Sequence, residues 1–375
     1  MKIKFAKPYF SEIEINKLNA VAKQDILVHG KEVSSFENNF SSFCKSNYSL
    51  ATSSCTTALF MAYKYFNIQK GDEVIVPAQT HVATVQPIVF FNAKPVFVDS
   101  KIEDGNINEE LIERKINKKT KGISIVHFLG YPVNISKIKK LCKKYNLFLI
   151  EDCALSVGAK YKNQHVGTFG DFGCFSFYPV KHITTSEGGM LITQRKDKFN
   201  FGKNIRALGV NREFHSRKIP GQYDVKALGL NFRLNEFSSA LGNVQLKKIN
   251  EILRIRKNNF NFLYERIKKL GKFRLFVYDN KDYQNSYYCL SLILPKNISR
   301  IKFINFLNSK GVQTSIYYPS IVPNFTFYKK LYGLDSNLFP IAHEISTRSV
   351  ALPVGPHLNI ENMNYIYMTI KQFFK

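Results

Sequence analysis

The sequence predicts an α/β protein with two domains: a large domain over residues 1–250, with helices around a mainly parallel sheet, and a smaller C-terminal α+β domain over 251–375. Three observations support this prediction. The chain has 375 residues, 45% of them hydrophobic, which is enough for a large core and for two domains. In its first half, short apolar runs alternate with amphipathic stretches, as in parallel βαβ units. Towards its C-terminus, strand-like and helix-like segments follow a long amphipathic stretch.

The first half of the chain supplies the predicted parallel sheet. Its strands and helices, in chain order, begin with "YSLATSS", "TTALFMAYKYF", "DEVIVPA", "THVATVQPIVFF" and "KPVFVDS". The alternation continues with "GISIVHF", a basic helix around 135–145, and "NLFLIEDCA". In such sheets, ligands bind beyond the carboxyl ends of the strands, so polar residues that follow the apolar runs are candidate site residues.

The second half begins with a predicted helix after "GGMLIT" and a connection that contains Gly and Tyr, "IPGQYDVKALGLNFRLNE". A long amphipathic stretch over 235–270 is predicted to join the two domains. Beyond it, "SYYCLSLILP", "SRIKFINFLNSKGV" and "ENMNYIYMTIKQFF" indicate strands and covering helices.

Several classes of protein are disfavoured by what the sequence lacks. It has no signal-peptide pattern at its N-terminus and no run of apolar residues long enough to span a bilayer. The six cysteines form no CxxC pair, and the eight histidines form no HExxH or HxxxH arrangement. We therefore expect a cytoplasmic protein with no membrane segment, no disulfide framework and no metal site.

The formal net charge of +26 permits three interpretations. Basic stretches such as "KINKKTKG" and "KIKKLCKK" contain apolar residues at helical spacing, which favours solvated helix faces. The charge can also attract an anionic substrate over long range, or bind nucleic acid. No helix-turn-helix, zinc-finger or RNP signature supports nucleic-acid binding, so we expect no nucleic-acid partner.

The first candidate site is "ATSSCTTAL" over 51–59, where Ser53, Ser54, Thr56 and Thr57 follow a predicted strand and open a helix. Free amides and the dipole at a helix start favour an anion, and the hydroxyls add donors. Ordinary N-capping by Ser or Thr is the alternative.

The second candidate site is "LFLIEDCALS", in which Glu151 and Asp152 follow four apolar residues. A carboxylate at the end of a strand can face a cofactor nitrogen, or it can cap the next helix.

The third candidate site is "FSFYPVKHITTSEGGMLIT", which places Ser176 and Lys181 between aromatic residues and a glycine pair. A desolvated lysine loses part of its preference for the charged form and becomes a better nucleophile. Its alternative is a surface lysine with a buried stem. Phosphate donors, a strand-end carboxylate and a desolvated lysine together are what a pyridoxal phosphate enzyme needs.

Taken as a whole, the sequence resembles the DegT/StrS family of sugar aminotransferases, which are fold-type I pyridoxal phosphate enzymes. The resemblance covers nearly the whole chain. It is carried by motifs that include "KPYFSEIEI", "GDEVIVPAQTHVATVQPI", "HFLGYPVNI", "EDCALSVGA", "FSFYPVKHITTSEGGMLIT" and "GLNFRLNEFSSALGNVQL". It implies the fold-type I architecture of a large domain with a mainly parallel sheet plus a smaller C-terminal domain.

The resemblance implies two catalytic residues. Lys181 corresponds to the lysine that forms a Schiff base with the aldehyde of pyridoxal 5′-phosphate (PLP). Asp152 corresponds to the carboxylate that keeps the pyridine nitrogen protonated, so that the ring can act as an electron sink.

The resemblance also implies further cofactor contacts. Thr56 and Ser176 correspond to phosphate-binding hydroxyls, with the amide of Thr57 as a helper. Asn231 is similar to the asparagine that reaches the phosphate of the neighbouring subunit, which implies a homodimer with shared active sites. His81 stands where the family usually carries Phe or Trp stacked on the ring; a buried histidine at a helix start is the alternative.

Candidate substrate contacts are Tyr317, Tyr318, His182 and Arg233, with simple packing as the alternative for the two tyrosines.

Three positions depart from the family pattern. Leu155 stands where Gln or His usually contacts the 3-oxygen of the cofactor. Either Ser156, another residue or water supplies that contact, or the ring oxygen is held less well. Cys55 replaces the glycine before Thr56, where it could narrow the phosphate loop. Ser186 replaces a glycine in the turn after Lys181.

The implied reaction moves an amino group from L-glutamate to a keto sugar, most often a nucleotide-diphosphate-linked keto-deoxysugar, and releases 2-oxoglutarate. Lys181 would serve as general base and acid. A 3-dehydratase of the same family is the first alternative, but such relatives carry histidine at the lysine position, and here His182 comes one residue later. A basic nucleic-acid-binding protein is the alternative from another class. The sequence leaves open the sugar, the nucleotide and the aminated carbon.

Overall fold

The structure is a computed structural model and describes residues 1–210, 219, 221–277 and 281–374. Pro220, within the predicted connection, lies outside the described residues. The helices are α1 Glu12–Ala22, α2 Lys31–Cys44, α3 Cys55–Tyr65, α4 Val82–Phe90, α5 Ile135–Tyr145, α6 Lys196–Ile205, α7 Glu236–Lys247, α8 Ile249–Leu270, α9 Arg300–Ser309, α10 Thr326–Tyr332, α11 Pro340–Arg348 and α12 Ile360–Phe373. The strands are β1 Tyr48–Thr52, β2 Glu73–Pro77, β3 Lys94–Val98, β4 Thr120–Val126, β5 Phe148–Asp152, β6 Lys160–Tyr161, β7 Gln164–His165, β8 Phe172–Ser176, β9 Gly189–Thr193, β10 Arg274–Leu275, β11 Tyr283–Gln284, β12 Leu290–Ile293 and β13 Ser349–Leu352.

A seven-stranded sheet forms the centre of the first part of the chain, in the order β1-β9-β8-β5-β4-β2-β3. Strands β8, β5, β4, β2 and β3 are parallel, and β9 is antiparallel to both β8 and β1. All strands except β9 therefore run in one direction, and their carboxyl ends meet at one edge. This confirms the predicted fold class.

The predicted joining stretch over 235–270 consists of two consecutive helices, α7 and α8. Asn235 caps α7 by accepting from the amide of Ser238 at 2.8 Å, and α8 ends at Gly271 in the left-handed region, with φ 61°. Glycine suits this position because it has no Cβ to oppose that conformation. Only Lys248 lies between the two helices. The amphipathic pattern therefore continues from one helix to the next, although the backbone forms two elements.

The C-terminal part contains an antiparallel sheet in the order β10-β12-β13, with α8, α9 and α12 packed on it. Its hydrophobic core includes Phe260, Phe303 and Ile366, and it also takes in Phe128 and Leu155 from the first part of the chain. Because the two parts share this core, we keep the domain boundary near residue 250 as a proposal.

The N-terminus packs on the C-terminal part, which the sequence did not indicate. Ile3 forms a parallel bridge with Val312, and its amide donates to the carbonyl of Gly311 at 2.8 Å. A three-stranded sheet, β11-β6-β7, makes a second connection between the first part and the C-terminal part.

Helix α1 is fastened by the fully buried carboxylate of Glu14. This side chain accepts hydrogen bonds from Lys248 Nζ at 2.7 Å, Gln245 Nε2 at 2.7 Å and the amide of Ser11 at 2.8 Å. Burial alone would raise the pKa of Glu14, but these bonds outweigh it and lower the pKa to about 2. The ionised form of Glu14 therefore stabilises the docking of α1 on the junction of α7 and α8.

We expect the contribution of Glu14 to stability to depend on pH. Since the folded-state pKa lies below the ordinary value of 4.5, the stabilisation is complete above that value and is lost as the pH falls towards about 2. Replacement Glu14→Gln should lower the free energy of unfolding by about 2 kcal/mol at neutral pH and flatten its dependence on pH in this window. Urea unfolding at a series of pH values measures both effects.

The matched control is Glu12→Gln, which removes an exposed carboxylate from the first turn of the same helix. This variant should unfold as the wild type does. An unchanged pH dependence in Glu14→Gln would refute the assignment.

Candidate active site

The carboxyl-end edge of the seven-stranded sheet brings the predicted site segments together. Thr52 at the end of β1 pairs with Gly189, and Gly189 pairs with Ser176 at the end of β8. Asp152 ends the next strand, β5. Helices α3 and α4 begin directly beyond this edge, so their N-termini face the same space.

The start of α3 is the predicted anion site, but one of its amides, that of Thr57, already donates a hydrogen bond within the protein. Ser54 caps the helix: its Oγ accepts from the amide of Thr57 at 3.1 Å, while its own amide donates to Thr57 Oγ1 at 3.1 Å. A phosphate held by the amide of Thr57 would thus compete with this cap. The half-buried Thr56 hydroxyl has no hydrogen-bond partner within the described residues and remains available as a donor.

Gly189 lets strand β9 approach this helix start closely. A Cβ at this position would collide with the backbone of Ser54 and Cys55. The Cys55 side chain is buried in the core beneath the helix, and burial raises the pKa of its thiol well above the ordinary value. Cys55 therefore fills core space at the start of the helix, and its expected narrowing of the phosphate loop stays a prediction.

Lys181 lies in the segment that follows Ser176, and its amine is desolvated. Burial lowers the pKa of the amine to about 8, and the nearby Cys55 and Asp152 side chains raise it only in part. The amine lies 5.5 Å from the centre of the Tyr288 ring. These contacts do not fit a snorkelling surface lysine. Ser176 is itself buried, and its Oγ accepts from the amide of Tyr178 at 3.4 Å.

Asp152 is buried, and each of its oxygens is held by one donor. Oδ2 accepts from Thr84 Oγ1 at 2.8 Å, and Oδ1 accepts from the amide of Ala154 at 3.0 Å. The Thr80 hydroxyl lies 2.8 Å from that of Thr84 and extends the chain of hydroxyls. Neither threonine was predicted from the sequence as a partner of Asp152. Their i, i+4 spacing at a helix start was the signal that could have located them.

Glu151 faces the opposite side of the sheet from Asp152, because successive side chains of a strand alternate. One oxygen accepts from the amides of Phe169 and Gly170 at 2.8 and 2.7 Å. The other accepts from the amide of Gly167 at 2.8 Å and lies 3.1 Å from His127 Nε2. Of the two predicted carboxylates, only Asp152 faces the site.

Glu151, His127 and Cys153 also form the group of buried potential metal ligands found within the described residues. The carboxylate is occupied by backbone amides, and His127 Nδ1 accepts from the amide of Val133 at 3.1 Å. Since both side chains already have protein partners, we assign this group a structural role.

The sequence left open whether His81 stacks on the cofactor ring or is a buried histidine at a helix start. Its Nδ1 accepts from the amide of Ala83 at 3.2 Å and caps α4, while its ring lies 5.4 Å from that of Tyr318. Desolvation lowers the pKa of His81, and both Asp152 and Lys181 act on it electrostatically. The imidazole therefore caps a helix beside the site; the other interpretation, a buried histidine, does not fit, because the ring is exposed.

The loop with Tyr317 and Tyr318 crosses from the C-terminal part to the site. Gln79 Nε2 donates to the carbonyl of Tyr317 at 3.0 Å, and the hydroxyls of Tyr317 and Tyr288 are 2.8 Å apart. Burial raises the pKa of Tyr318 well above its ordinary value, with a further contribution from Asp152. Tyr318 thus lies close enough to Asp152 to be affected by its charge, and Tyr317 contacts Tyr288, whose ring lies against Lys181.

His182 is held by the C-terminal part. Its ring is buried, and Nε2 lies 2.9 Å from the carbonyl of Ser286. This hydrogen bond fixes the ring in the interface between the two parts, and the expected substrate contact of His182 stays a prediction.

Asn231 and Arg233 lie on an exposed segment at the rim. Arg233 Nε donates to Asn231 Oδ1 at 3.0 Å, and its NH1 group lies 3.1 Å from His29 Nε2. The segment pairs with the end of β1 through a bridge between Thr52 and Arg233. Both residues are thus near the start of α3.

The departures from the family pattern have structural explanations. Leu155 is buried in the core shared by the two parts, and Ser156 is fully buried with its hydroxyl donating to the carbonyl of His127 at 2.9 Å. Ser156 is therefore not the residue that replaces the missing cofactor contact. Ser186 has a φ of 69°, in the left-handed region where glycine is unstrained, which explains why the family uses glycine there.

The donor set of this edge fits pyridoxal phosphate. A desolvated amine, a carboxylate with lone pairs left over, an unpaired threonine hydroxyl and a helix start lie around one edge of the sheet. The amine matches the aldehyde of the cofactor, and the carboxylate matches its pyridine nitrogen. The hydroxyl and the helix start both match its phosphate.

Comparison with known proteins agrees with this geometry. The family model described as the DegT/DnrJ/EryC1/StrS aminotransferase family matches residues 8–371. The chain is 34% identical over 346 residues to GDP-perosamine synthase of Escherichia coli O157:H7, covering 92% of this chain and 91% of that protein. The structure resembles Helicobacter pylori PseC, an aminotransferase involved in pseudoaminic acid biosynthesis, with a TM-score of 0.93, 27% identity and coverage of 100% and 99%.

The PLP form of Spr1654 from Streptococcus pneumoniae has the same fold, with a TM-score of 0.92, 24% identity and coverage of 99% and 98%. The family match confirms the expected family, enzyme class and cofactor, and the structural matches confirm the fold class. The chain belongs to the DegT/DnrJ/EryC1/StrS aminotransferase family and is a PLP-dependent sugar aminotransferase.

Proposed function

We propose that Lys181 is the residue that binds the cofactor aldehyde and transfers the proton in catalysis. The observation that supports this role is the desolvated amine of Lys181 beside Asp152 at the edge of the sheet. With a pKa of about 8, about a tenth of this amine is neutral at pH 7, whereas an ordinary lysine is almost entirely charged. The bound cofactor would supply the electron sink, and Lys181 would take the proton from the substrate Cα as general base and return it as general acid.

The surrounding residues would hold the cofactor. In this proposal Asp152, oriented by Thr84 and the amide of Ala154, bonds the pyridine nitrogen. His81 lies beside the ring. Thr56, Ser176 and the start of α3 bind the phosphate, and the amide of Thr57 contributes if its cap on Ser54 opens.

The proposed amino donor is L-glutamate, and the acceptor is a keto sugar linked to a nucleotide. The name of the E. coli relative, a GDP-perosamine synthase, supports a nucleotide-linked substrate. The net charge of +26 would attract such an anion without requiring nucleic acid as a partner. Tyr317, Tyr318 and Arg233 are the proposed substrate contacts.

We further propose that two copies of the chain form shared sites. Large apolar side chains are exposed beside Asn231: Leu228 is 78% exposed, and Leu230 and the segment 26–28 are also exposed. This segment is joined to the rim, because the amide of Glu236 donates to the carbonyl of Leu27 at 2.9 Å. A cluster of this kind is typical of a protein interface.

Within the described residues, no helix has both the length and the apolarity to cross a membrane. We propose that the enzyme works in the cytoplasm, where its nucleotide-linked substrate would be available.

Replacement of Lys181 tests the catalytic assignment. The wild type mixed with PLP should show a visible absorption band that changes when L-glutamate is added. Lys181→Ala should lose this response and lower the transamination rate by at least about 10²-fold, because both the covalent link and the acid-base group are gone. Absorbance spectra and 2-oxoglutarate release measure the two effects.

Lys160→Ala is the control, since it removes a half-buried lysine from β6. Its spectrum and rate should match those of the wild type. A wild type without a glutamate-sensitive band would reject the proposed function.

Mixed dimers test the shared site. Lys181→Ala and Asn231→Ala chains should each be impaired alone, and their co-refolded mixture should exceed the mean activity of the two. The reason is that one site of a mixed dimer receives Lys181 from the Asn231→Ala chain and Asn231 from the Lys181→Ala chain. In a statistical mixture roughly a quarter of all sites would be complete. Activity equal to the mean would show that each site uses its own Asn231.

Product analysis separates transamination from dehydration. Lys181 lies at the site, while His182 is bonded to Ser286, which supports an amine product rather than dehydration by a histidine base. With a panel of keto-sugar nucleotides and ¹⁵N-labelled glutamate, the product sugar should carry the label. A sugar product without nitrogen would favour the dehydratase instead.

A further inference from the structure

Tyr288 is the residue of the C-terminal part that lies against Lys181. It comes just before β12, and its side chain is buried in the shared core. The centre of its ring lies 5.5 Å from Lys181 Nζ and 6.0 Å from the guanidinium carbon of Arg256. The rings of His182 and Tyr317 lie 5.6 and 5.4 Å away. One aromatic ring thus contacts both the predicted catalytic segment and the predicted substrate loop.

We propose that Tyr288 is a positioning residue for Lys181: its ring face holds the amine at the sheet edge and helps set the proton affinity of that amine. This inference rests on the proposed function, in which Lys181 is the reactive amine. Neither the sequence motifs nor the family resemblance assigned a role to Tyr288.

The ring is held in place on several sides. Its own carbonyl accepts from Arg256 NH1 at 2.9 Å, and its hydroxyl lies 2.8 Å from that of Tyr317. Nearby, Ser286 Oγ donates to the carbonyl of Leu155 at 2.8 Å, which ties the loop between β11 and β12 to the segment after Asp152. Because these contacts come from both parts of the chain, the ring has little freedom to move away from Lys181.

A ring face near an ammonium group stabilises the charged form, since the face of the π-system is negative. At Lys181 this attraction opposes desolvation, which is the largest influence on the amine and lowers its pKa. By excluding water the ring favours the neutral amine, and by its negative face it favours the charged ammonium form. The amine is therefore held between its neutral and its charged form. Such an amine can take up and release a proton near neutral pH.

Other charged or titratable groups act on the same amine and would be unchanged by substitution of the ring. They are Asp152 at the end of β5, Cys55 at the start of α3, His81 at the start of α4 and the neighbouring His182. Arg256 on α8 lies behind the ring.

The experiment uses phenylalanine and a series of increasingly fluorinated phenylalanines at position 288. These side chains keep the shape of the ring and weaken its negative face step by step, so they test the interaction without opening a cavity. The measured quantity is the rate at which PLP added to the cofactor-depleted enzyme produces the visible band, as a function of pH. This rate follows the neutral fraction of the Lys181 amine.

We expect the wild type and Tyr288→Phe to have similar midpoints, close to the pKa of about 8. Increasing fluorination should lower the midpoint progressively, by about 0.5 to 1 unit at full fluorination. The same series at the adjacent Tyr287, whose ring packs on Phe260 at 5.4 Å, should leave the midpoint unchanged.

The outcomes separate the inference from the function on which it rests. A wild type that forms no visible band would overturn both. A wild type that forms the band, with a midpoint that stays constant across the fluorinated series at position 288, would overturn the role of Tyr288 alone. Tyr288→Leu, which removes the ring, should also lower the midpoint; a rise would mean that the ring acts only by excluding water.

Discussion

In the proposed mechanism, the chemistry of this protein depends on the balance of forces at the Lys181 amine. Burial disfavours its charge, while Asp152 favours it, and the result is a pKa of about 8. A fully solvated lysine would be protonated and unreactive at neutral pH. Without a carboxylate nearby, the lysine would lose its proton more readily, but the site would have no partner for the pyridine nitrogen. The rest of the site is arranged so that both influences act on one amine.

This balance requires the two parts of the chain to be packed together. The sheet supplies Asp152 and Lys181, but part of the cover that removes Lys181 from water comes from Tyr288 of the C-terminal part. The shared core around Leu155 and Phe128 makes this contact a consequence of folding. The close approach of β9 to α3, which requires Gly189, likewise places the helix start near the strand end that carries Ser176.

The sequence allowed much of this to be predicted, and the omissions have a common cause. Strand and helix patterns located Asp152, Ser176 and Lys181 at strand ends, because alternation and apolar runs are local signals. They did not separate Glu151 from Asp152, since the register of the strand in the sheet decides which carboxylate faces the site. Thr84 was missed because its partner, Asp152, is distant along the chain.

The sequence by itself determined the fold class and the family, and it supplied the proposed reactive lysine, Lys181, and its proposed partner, Asp152. Motifs and hydrophobic periodicity are written in neighbouring residues, so they need no coordinates. Only the tertiary structure decided that His182 faces Ser286, that Ser156 is buried against His127, and that Tyr288 lies on Lys181. These contacts join segments far apart in the chain, and they arise from the packing of one part on the other.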